Sequence, residues 1–494
     1  MASQTRNYDQ KKLLGQVYTP LHIVEKILKE TGFYESDLNE ITVLDPACGD
    51  GRFLVPVVKY IVEKSTKDQL ENRLNNIAGW DIDPDAIDLC RQNLDEIIAP
   101  FGIQIDWKLS VLNALEQIDI VERFDLIIGN PPYIRIQHLP ILQRQYIQAV
   151  YSFCASGSTD TYVAFFQLAS VLLSKNGSCG FITPNSFFTS ETAKPLRSYF
   201  AWNKNLMNIT NYGSVKVFGN TGTYAAVTIF GKEERNQFRY ETSDSEWNYV
   251  GRNILFSELA DRDQWHLSVN ETIEVVGRKL GEICQISVGV TTLSDSLYLF
   301  SIIKIDGNLV HAKSKNGDLI WIESSLLKPI VKGSKLKSSN EPIKEYILFP
   351  YEKDPDGKYK IISEESLIAK YPNGFSYLLG IKEKLEKRDN GKPNPVAWYA
   401  FGRAQGLDTS FGKKIIFSPM NRFPNFVLYD NPDCTVYSAY FIKFEGDYEA
   451  LLSQLNSQRM ADFIAVAGRD FRGGYKGYNK KALENFIITD LSLA

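Results

Sequence analysis

Cysteine and histidine are scarce in this chain of 494 residues. The six cysteines (Cys48, Cys90, Cys154, Cys179, Cys284 and Cys434) form no C-x-x-C pair, and only four histidines accompany them. Such scatter supports neither a disulfide framework nor a zinc site, so no metal is expected and a reducing cytoplasm fits best. Long hydrophobic runs are missing too. The longest, near Tyr162 to Leu173, is broken by Gln167 and Ser170, and the N-terminus lacks the apolar core of a signal peptide. Neither secretion nor a membrane span is expected. Basic charge is in no excess, with 55 Lys+Arg against 59 Asp+Glu and a net charge of −4. A polyanionic partner would therefore have to meet cations gathered on one face. Internal repeats and low-complexity linkers are absent.

What remains is a globular mixture, 44% hydrophobic and 23% charged, long enough for two or three domains. Within it, FDLIIG (Phe124 to Gly129) reads as a buried strand and runs directly into Asn130-Pro131-Pro132-Tyr133. At the carboxyl end of a strand this tetrapeptide can hold an exocyclic amine. The lone pair of an adenine or cytosine amine is delocalised into the ring, and two acceptors aimed at its N–H bonds draw it out. The Asn130 side-chain oxygen and the Pro131 carbonyl are the candidates. The two prolines stiffen the loop by fixing φ at about −65°, and Tyr133 offers a ring face for a base. Asn-Pro-Pro is also an ordinary turn formula, so the neighbouring motifs carry the distinction.

Upstream, ITVLDPACGDGRFL (Ile41 to Leu54) reads as a strand, a glycine-rich turn and the start of a helix. Gly49 and Gly51 let the backbone approach a ligand or adopt positive φ, and Asp45 can bind a cationic amino group. The turn is neither a G-x-G-x-x-G fingerprint nor a Walker loop, since no Gly-Lys-Ser/Thr follows. IAGWDIDPDAI (Ile77 to Ile87) reads as a second strand ending in carboxylates. Asp81 falls where a ribose diol lies in a doubly wound sheet, Ile82 can flank an adenine ring, and Asp83-Pro84 would cap the next helix.

The order GQVYTP, DPACGDG, GWDIDP and NPPY resembles the gamma class of N6-adenine DNA methyltransferases of type II restriction-modification systems. The resemblance implies S-adenosylmethionine as cofactor and double-stranded DNA as substrate. It implies that Gln16, Val17, Tyr18, Thr19 and Pro20 close over the methionine moiety. Asp45, Pro46, Ala47, Gly49 and Gly51 would wrap the same moiety, Asp81 would bind the ribose hydroxyls, and Asn130 would border cofactor and target amine together. Asn113, within WKLSVLNAL (Trp107 to Leu115), stands where the family has an acid for the cofactor's adenine amine, and its Oδ1 can still accept. Phe218 matches the family's aromatic that packs with Tyr133 against the flipped base. Asn220 and Gly222 nearby favour an exposed position for it, the alternative being a core anchor.

Downstream, Asp160 to Leu173 reads as a helix, Gly177 to Phe188 as strand and turn, and Ile209 to Phe230 as a strand pair around a loop. The expected fold is α/β, a Rossmann-like doubly wound methyltransferase sheet with a C-terminal mixed α+β target-recognition domain. Only about 80 residues separate DPACGDG from NPPY, too few for an inserted recognition domain. Catalysis is therefore expected in residues 1–250 and target recognition in residues 251–494, with a boundary in the polar turns between Trp247 and Glu282.

Two cation clusters are the expected phosphate contacts. One comprises Lys328, Lys332, Lys335 and Lys337 in LLKPIVKGSKLK; the other comprises Arg469, Arg472, Lys476 and Lys480 in RDFRGGYKGYNKK, where Tyr475 and Tyr478 are interleaved. For each, the alternative is a solvated surface loop. The expected reaction is direct methyl transfer to a flipped-out adenine without a covalent intermediate, since no Pro-Cys dipeptide supplies a thiol for cytosine C5 chemistry. Glutamine N5 protein methyltransferases and some RNA amine methyltransferases use the same Asn-Pro-Pro-Tyr logic; the large C-terminal region and the Gln16 to Pro20 segment weigh against them. With about 14 residues ahead of GQVYTP, no N-terminal nuclease is expected, and a cognate restriction endonuclease would be a separate protein.

Overall fold

The computed structural model describes residues 19–213, 215–219, 224–259, 264–269, 276–471 and 473–489. Gln16, Val17, Tyr18, Asn220, Gly222 and Arg472 lie outside them. The chain divides into two compact units, Met1–Thr272 and Ile273–Ala494.

The first unit is built on nine strands: β1 (Val43–Asp45), β2 (Ile77–Asp81), β3 (Lys108–Val111), β4 (Phe124–Gly129), β5 (Leu173–Pro184), β6 (Leu206–Asn211), β7 (Ala225–Gly231), β8 (Gln237–Ser243) and β9 (Tyr249–Leu255). They form one mixed sheet in the order β3-β2-β1-β4-β5-β7-β6-β8-β9. The first five in that order are parallel, β7 runs antiparallel between β5 and β6, and β8 pairs parallel with β6 before turning back as β9. Parallel neighbours need crossover segments, and the helices α1 (Leu21–Glu30), α2 (Leu54–Glu63), α3 (Pro84–Ile98) and α4 (Thr161–Leu172) lie before or between the strands. Asp83 caps α3, its Oδ1 accepting from the Asp85 N–H at 3.0 Å, with Pro84 in the first helical turn.

Strand β4 shows why the sheet is covered on both faces. Phe124 and Ile127 enter one apolar core, Leu126 and Ile128 the other, which is the use of a near-continuous apolar strand. In α4 the two polar interruptions of the apolar run have local partners. Gln167 Oε1 accepts from the Phe153 N–H at 2.9 Å, and Ser170 Oγ donates to the Gln167 carbonyl at 2.7 Å. Among the described residues no helix is long and apolar enough to cross a membrane. The β8–β9 hairpin pairs Gln237 with Leu255, so residues beyond 250 complete the first sheet and the break between units falls at Thr272.

The second unit mixes sheets and helices. A six-stranded sheet has the order Leu319–Glu323, Leu309–Ser314, Leu299–Asp306, Glu345–Leu348, Leu327–Lys332, Thr435–Tyr437; a four-stranded sheet has the order Cys284–Val288, Tyr440–Phe444, Lys414–Phe417, Phe426–Tyr429. Leu326 to Lys337 is thus more than a surface loop: its first half is an interior strand, antiparallel to Glu345–Leu348 and parallel to Thr435–Tyr437. Buried Arg388 ties three segments together, donating to the carbonyls of Leu385, Thr292, Ala400 and Trp398.

The core of the first unit has a hub in Phe166, whose ring meets those of Tyr162, Phe181, Phe187, Phe200 and Phe230 at centroid distances of 5.6–6.4 Å. Phe166→Ala is expected to cost about 3–5 kcal/mol. Urea unfolding of the full chain measures this, and a loss below about 1 kcal/mol would show that the cluster repacks around the gap.

Candidate functional site

Parallel pairing delivers the motifs to one edge of the sheet. Strand β1 ends at Asp45, β2 at Asp81 and β4 at Gly129, and β1 lies between the other two, parallel to both. The loops that follow therefore leave on the same side, the carboxyl edge where open α/β sheets admit ligands.

The loop after β1 is held by its own backbone. The Ala47 N–H donates to Asp45 Oδ1 at 3.0 Å and the Gly51 N–H to the Cys48 carbonyl at 2.8 Å. Gly49 and Gly51 have φ of +52° and +88°, and a Cβ at position 51 would meet Cys90 Sγ at 2.9 Å. Glycine is needed there for conformation and for space. Asp81 joins this loop to the next strand, since its Oδ2 accepts from the Gly49 N–H at 2.9 Å and its Oδ1 from the Asp83 N–H at 3.0 Å. Each oxygen keeps a further lone pair for a donor such as a hydroxyl. Ile82 beside it is 63% exposed. Asn113 accepts from the Leu115 N–H at 3.2 Å through Oδ1 and donates to Glu116 at 2.8 Å, which also leaves one lone pair on Oδ1.

Asp45 is in a different situation. It is buried, and its carboxyl is pushed up to about 8, chiefly by burial and further by the neighbouring Asp81, against the stabilising Ala47 N–H. Asp45 Oδ1 lies 2.7 Å from where a Cβ on Gly129 would stand. The last residue of β4 must therefore lack a side chain for the two strand ends to coexist.

Beyond Gly129, Asn130 Nδ2 donates to Thr19 Oγ1 at 3.2 Å, which joins the one described end of the Gln16 to Pro20 segment to the tetrapeptide. The Tyr133 hydroxyl bonds to Asn130 Oδ1 and lies 3.1 Å from the Ile182 carbonyl. Thr161 Oγ1 donates to the Pro132 carbonyl at 2.5 Å and accepts from the Ile134 N–H at 3.2 Å, pinning the loop to α4. The half-buried Tyr133 ring meets Tyr162 edge-on at 6.2 Å and 85°, and burial pushes its phenol well above the usual range. Among the described residues no donor occupies the Pro131 carbonyl.

Thr161, Tyr162 and Ile182 escaped the sequence reading. Thr161 and Ile182 reach the loop across sequence separations of 29 and 49 residues, and no local pattern encodes such contacts. Phe218 calls for a correction. The expected exposed ring is only 9% exposed and belongs to an apolar cluster with Tyr212, Val217 and Val227. Burial of its large apolar surface outweighs the exposure suggested by the glycines around it. Tyr133 packs against that same cluster.

The expected cation clusters are distributed unevenly. Lys328 and Lys332 are half-buried in their strand, with Lys332 Nζ 5.9 Å from the Tyr437 ring, whereas Lys335 and Lys337 are exposed. Arg469 is exposed, Lys476 donates to the Ala465 carbonyl at 3.1 Å, and Lys480 pairs with Glu484 at 3.6 Å. Tyr478, read as a ring interleaved with these cations, is instead 1% exposed in the core.

Two outcomes follow from the strand ends. The folded carboxyl of Asp45 lies above its unfolded value, so its favourable contribution is complete below about pH 4 and is lost as pH rises to about 8. The stability of the protein relative to Asp45→Asn should therefore fall across that window, by up to ~1.4 kcal/mol per pH unit. Parallel pH profiles in chemical denaturation would overturn this. Gly129→Ala should force the carboxylate and the strand end apart and lower the melting temperature by several degrees in thermal unfolding.

Residues 75–218 match the family described as Eco57I restriction-modification methylase. Across 93% of its length the chain is 25% identical to the type II restriction enzyme and methyltransferase RM.Eco57I of Escherichia coli, of which it spans 55%. It is 24% identical to the type II methyltransferase M.BanIII of Aneurinibacillus aneurinilyticus, covering 92% of this chain and 86% of that protein. M.HindII of Haemophilus influenzae is also 24% identical, with coverages of 97% and 90%. In structure, the chain is similar to the type IIL restriction-modification enzyme MmeI, solved in complex with DNA, with a TM-score of 0.61 at 14% identity over 97% of this chain and 68% of that one. This last likeness speaks to fold. Together with the motifs gathered at the carboxyl edge, these matches mark residues 75–218 as an Eco57I-type restriction-modification methylase domain, with S-adenosylmethionine as cofactor.

Proposed function

We propose that the chain is a site-specific DNA methyltransferase that transfers a methyl group to N6 of an adenine flipped out of duplex DNA, as the modification activity of a restriction-modification system. The observation that carries this reading is the approach of Asn130 to the edge that holds Asp45 and Asp81. An amine acceptor and a nucleotide-binding loop share the ends of adjacent parallel strands. The names of the relatives and the DNA complex of MmeI support the substrate class.

The bound cofactor supplies an activated methyl group on its sulfonium. The chain's own residues do the rest. Asp45 offers a buried carboxylate to the amino group, Asp81 accepts from the ribose hydroxyls, Ile82 flanks the adenine, and Asn113 accepts from the adenine amine. Thr19 and Pro20 lead into α1, with Thr19 holding the Asn130 amide nitrogen so that Oδ1 faces away from it. Asn130 Oδ1 and the Pro131 carbonyl then accept the two amine hydrogens of the target, drawing its lone pair toward the methyl. When the target enters, its N–H must replace or share the Tyr133 hydroxyl on Asn130 Oδ1, while the Tyr133 ring stacks on the base. Phe218, packed in the same cluster, backs that stack from the core. Exposed Lys335, Lys337, Arg469 and Lys480 are suited to phosphates. Lys328 and Lys332 are half-buried in their strand and Lys476 donates to the Ala465 carbonyl, which makes these three secondary candidates.

Transfer of tritium from labelled cofactor to mixed-sequence duplex DNA, with digestion to nucleosides, tests the reaction. Label is expected in N6-methyladenine and is expected to vanish in Asn130→Ala with cofactor binding retained. Label in N4-methylcytosine, or in protein alone, would overturn the proposal. Tyr133→Phe should keep the stack and change turnover by less than tenfold, whereas Tyr133→Ala should lose about 1–3 kcal/mol of base stacking. Calorimetry should also show cofactor affinity rising with pH up to about 8, as ligand binding ionises Asp45.

A further inference from the structure

The stretch from Arg469 to Lys481 contains five cations and one acid, and its described residues include a two-stranded ribbon. Asp470–Phe471 pairs antiparallel with Tyr475–Gly477, whose other edge carries Met420–Asn421. Gly473 and Gly474 make the turn at φ of +81° and +78°, which glycine adopts without steric cost. The root is fixed: the Gly477 N–H donates to the Arg469 carbonyl at 2.7 Å and the Tyr478 N–H to the Pro419 carbonyl at 2.9 Å, with the Tyr478 ring buried below. The ribbon and its adjoining loop expose large apolar side chains, Tyr475 at 40%, Met420 at 46% and Phe423 at 76%.

Exposed Arg422 lies against this ribbon. Its guanidinium is 5.1 Å from the Tyr475 ring centroid, and its Nη2 is 3.8 Å from where a Cβ on Gly473 would stand. Ring stacking orients the planar fork, and among the described residues no acceptor takes up its N–H groups. Two other arginines of this unit are committed: Arg403 pairs with Asp389 at 3.1 Å, and Arg388 donates to four backbone carbonyls. The Arg422 fork is therefore aimed and, among the described residues, vacant, with Tyr475 in the same small sheet and Arg469 directly ahead of its strand Asp470–Phe471. Strands about 5 Å apart make a ribbon that fits a major groove about 12 Å wide. A guanidinium presented there matches the O6 and N7 acceptors of guanine, and the surrounding cations match the phosphates.

We propose that this ribbon enters the major groove of duplex DNA and that Arg422, held by Tyr475, reads a guanine of the recognition sequence. The proposal rests on the duplex-DNA reading above and deepens it by naming the residues that discriminate sequence. Full-length protein, Arg422→Gln, Tyr475→Leu and Lys480→Ala are each expressed in a host lacking adenine methylation, and modified positions are mapped across the genome. For Arg422→Gln we expect methylation of the same adenine with one former G·C position relaxed, and a loss of about 5- to 150-fold in kcat/KM on the original site. Tyr475→Leu should relax the same position less. Lys480→Ala should lose activity evenly with the recognition sequence unchanged. Thermal unfolding and cofactor affinity serve as folding controls.

An active Arg422→Gln with an unchanged recognition sequence overturns the proposal. If that variant is folded but inactive, duplex binding decides: loss confined to the cognate duplex supports the assignment, and equal loss on unrelated duplex overturns it. Unmodified protein that methylates no duplex fails the underlying reading first, before Arg422 is in question.

Discussion

The buried carboxylate of Asp45 is the constraint around which the first unit is organised. It sits at the end of the middle one of three parallel strands, with Asp81 beside it and Gly129 pressed against its oxygen. A carboxylate held there without a cation is costly, and the residues around it follow from that cost. Gly129 must lack a side chain, the DPACGDG loop must turn on two left-handed glycines, and one Asp81 oxygen holds that loop through the Gly49 N–H. In the function proposed above, the cationic amino group of the cofactor pairs with this carboxylate, which would couple cofactor occupancy to the electrostatics of the strand ends.

The Asn130 to Tyr133 loop depends on a different kind of support. Two prolines restrict the Asn130 to Tyr133 backbone, but its position relative to the DPACGDG loop comes from α4 through Thr161, from β5 through the Ile182 carbonyl and from Thr19. Each is a hydrogen bond across long sequence separation, and together they tie the loop to a helix, a strand and the segment ahead of α1. Precise presentation of this kind is what polarising an amine requires.

The second unit solves a presentation problem of its own. Two sheets and buried anchors such as Arg388 and Tyr478 leave short loops and a narrow ribbon at the surface. The same aromatic and basic residue types serve opposite ends. Tyr478 roots the ribbon while Tyr475, three residues earlier, orients an arginine at its face.

The sequence by itself determined the strand-turn-helix units, the capping of α3 by Asp83-Pro84, the apolar strand before Asn130 and the glycines of the first turn. These are local matters of side-chain period, backbone freedom and capping, legible over a few residues. Tertiary structure alone decided the rest. It buried Phe218 and Tyr478 because their apolar area outweighed the polar and glycine-rich sequence around them. It turned half of a lysine cluster into an interior strand by pairing it with segments distant in the chain, and it stacked Arg422 on Tyr475 across 53 residues. Pairings of this kind depend on which surfaces meet, and short-range patterns carry no record of them.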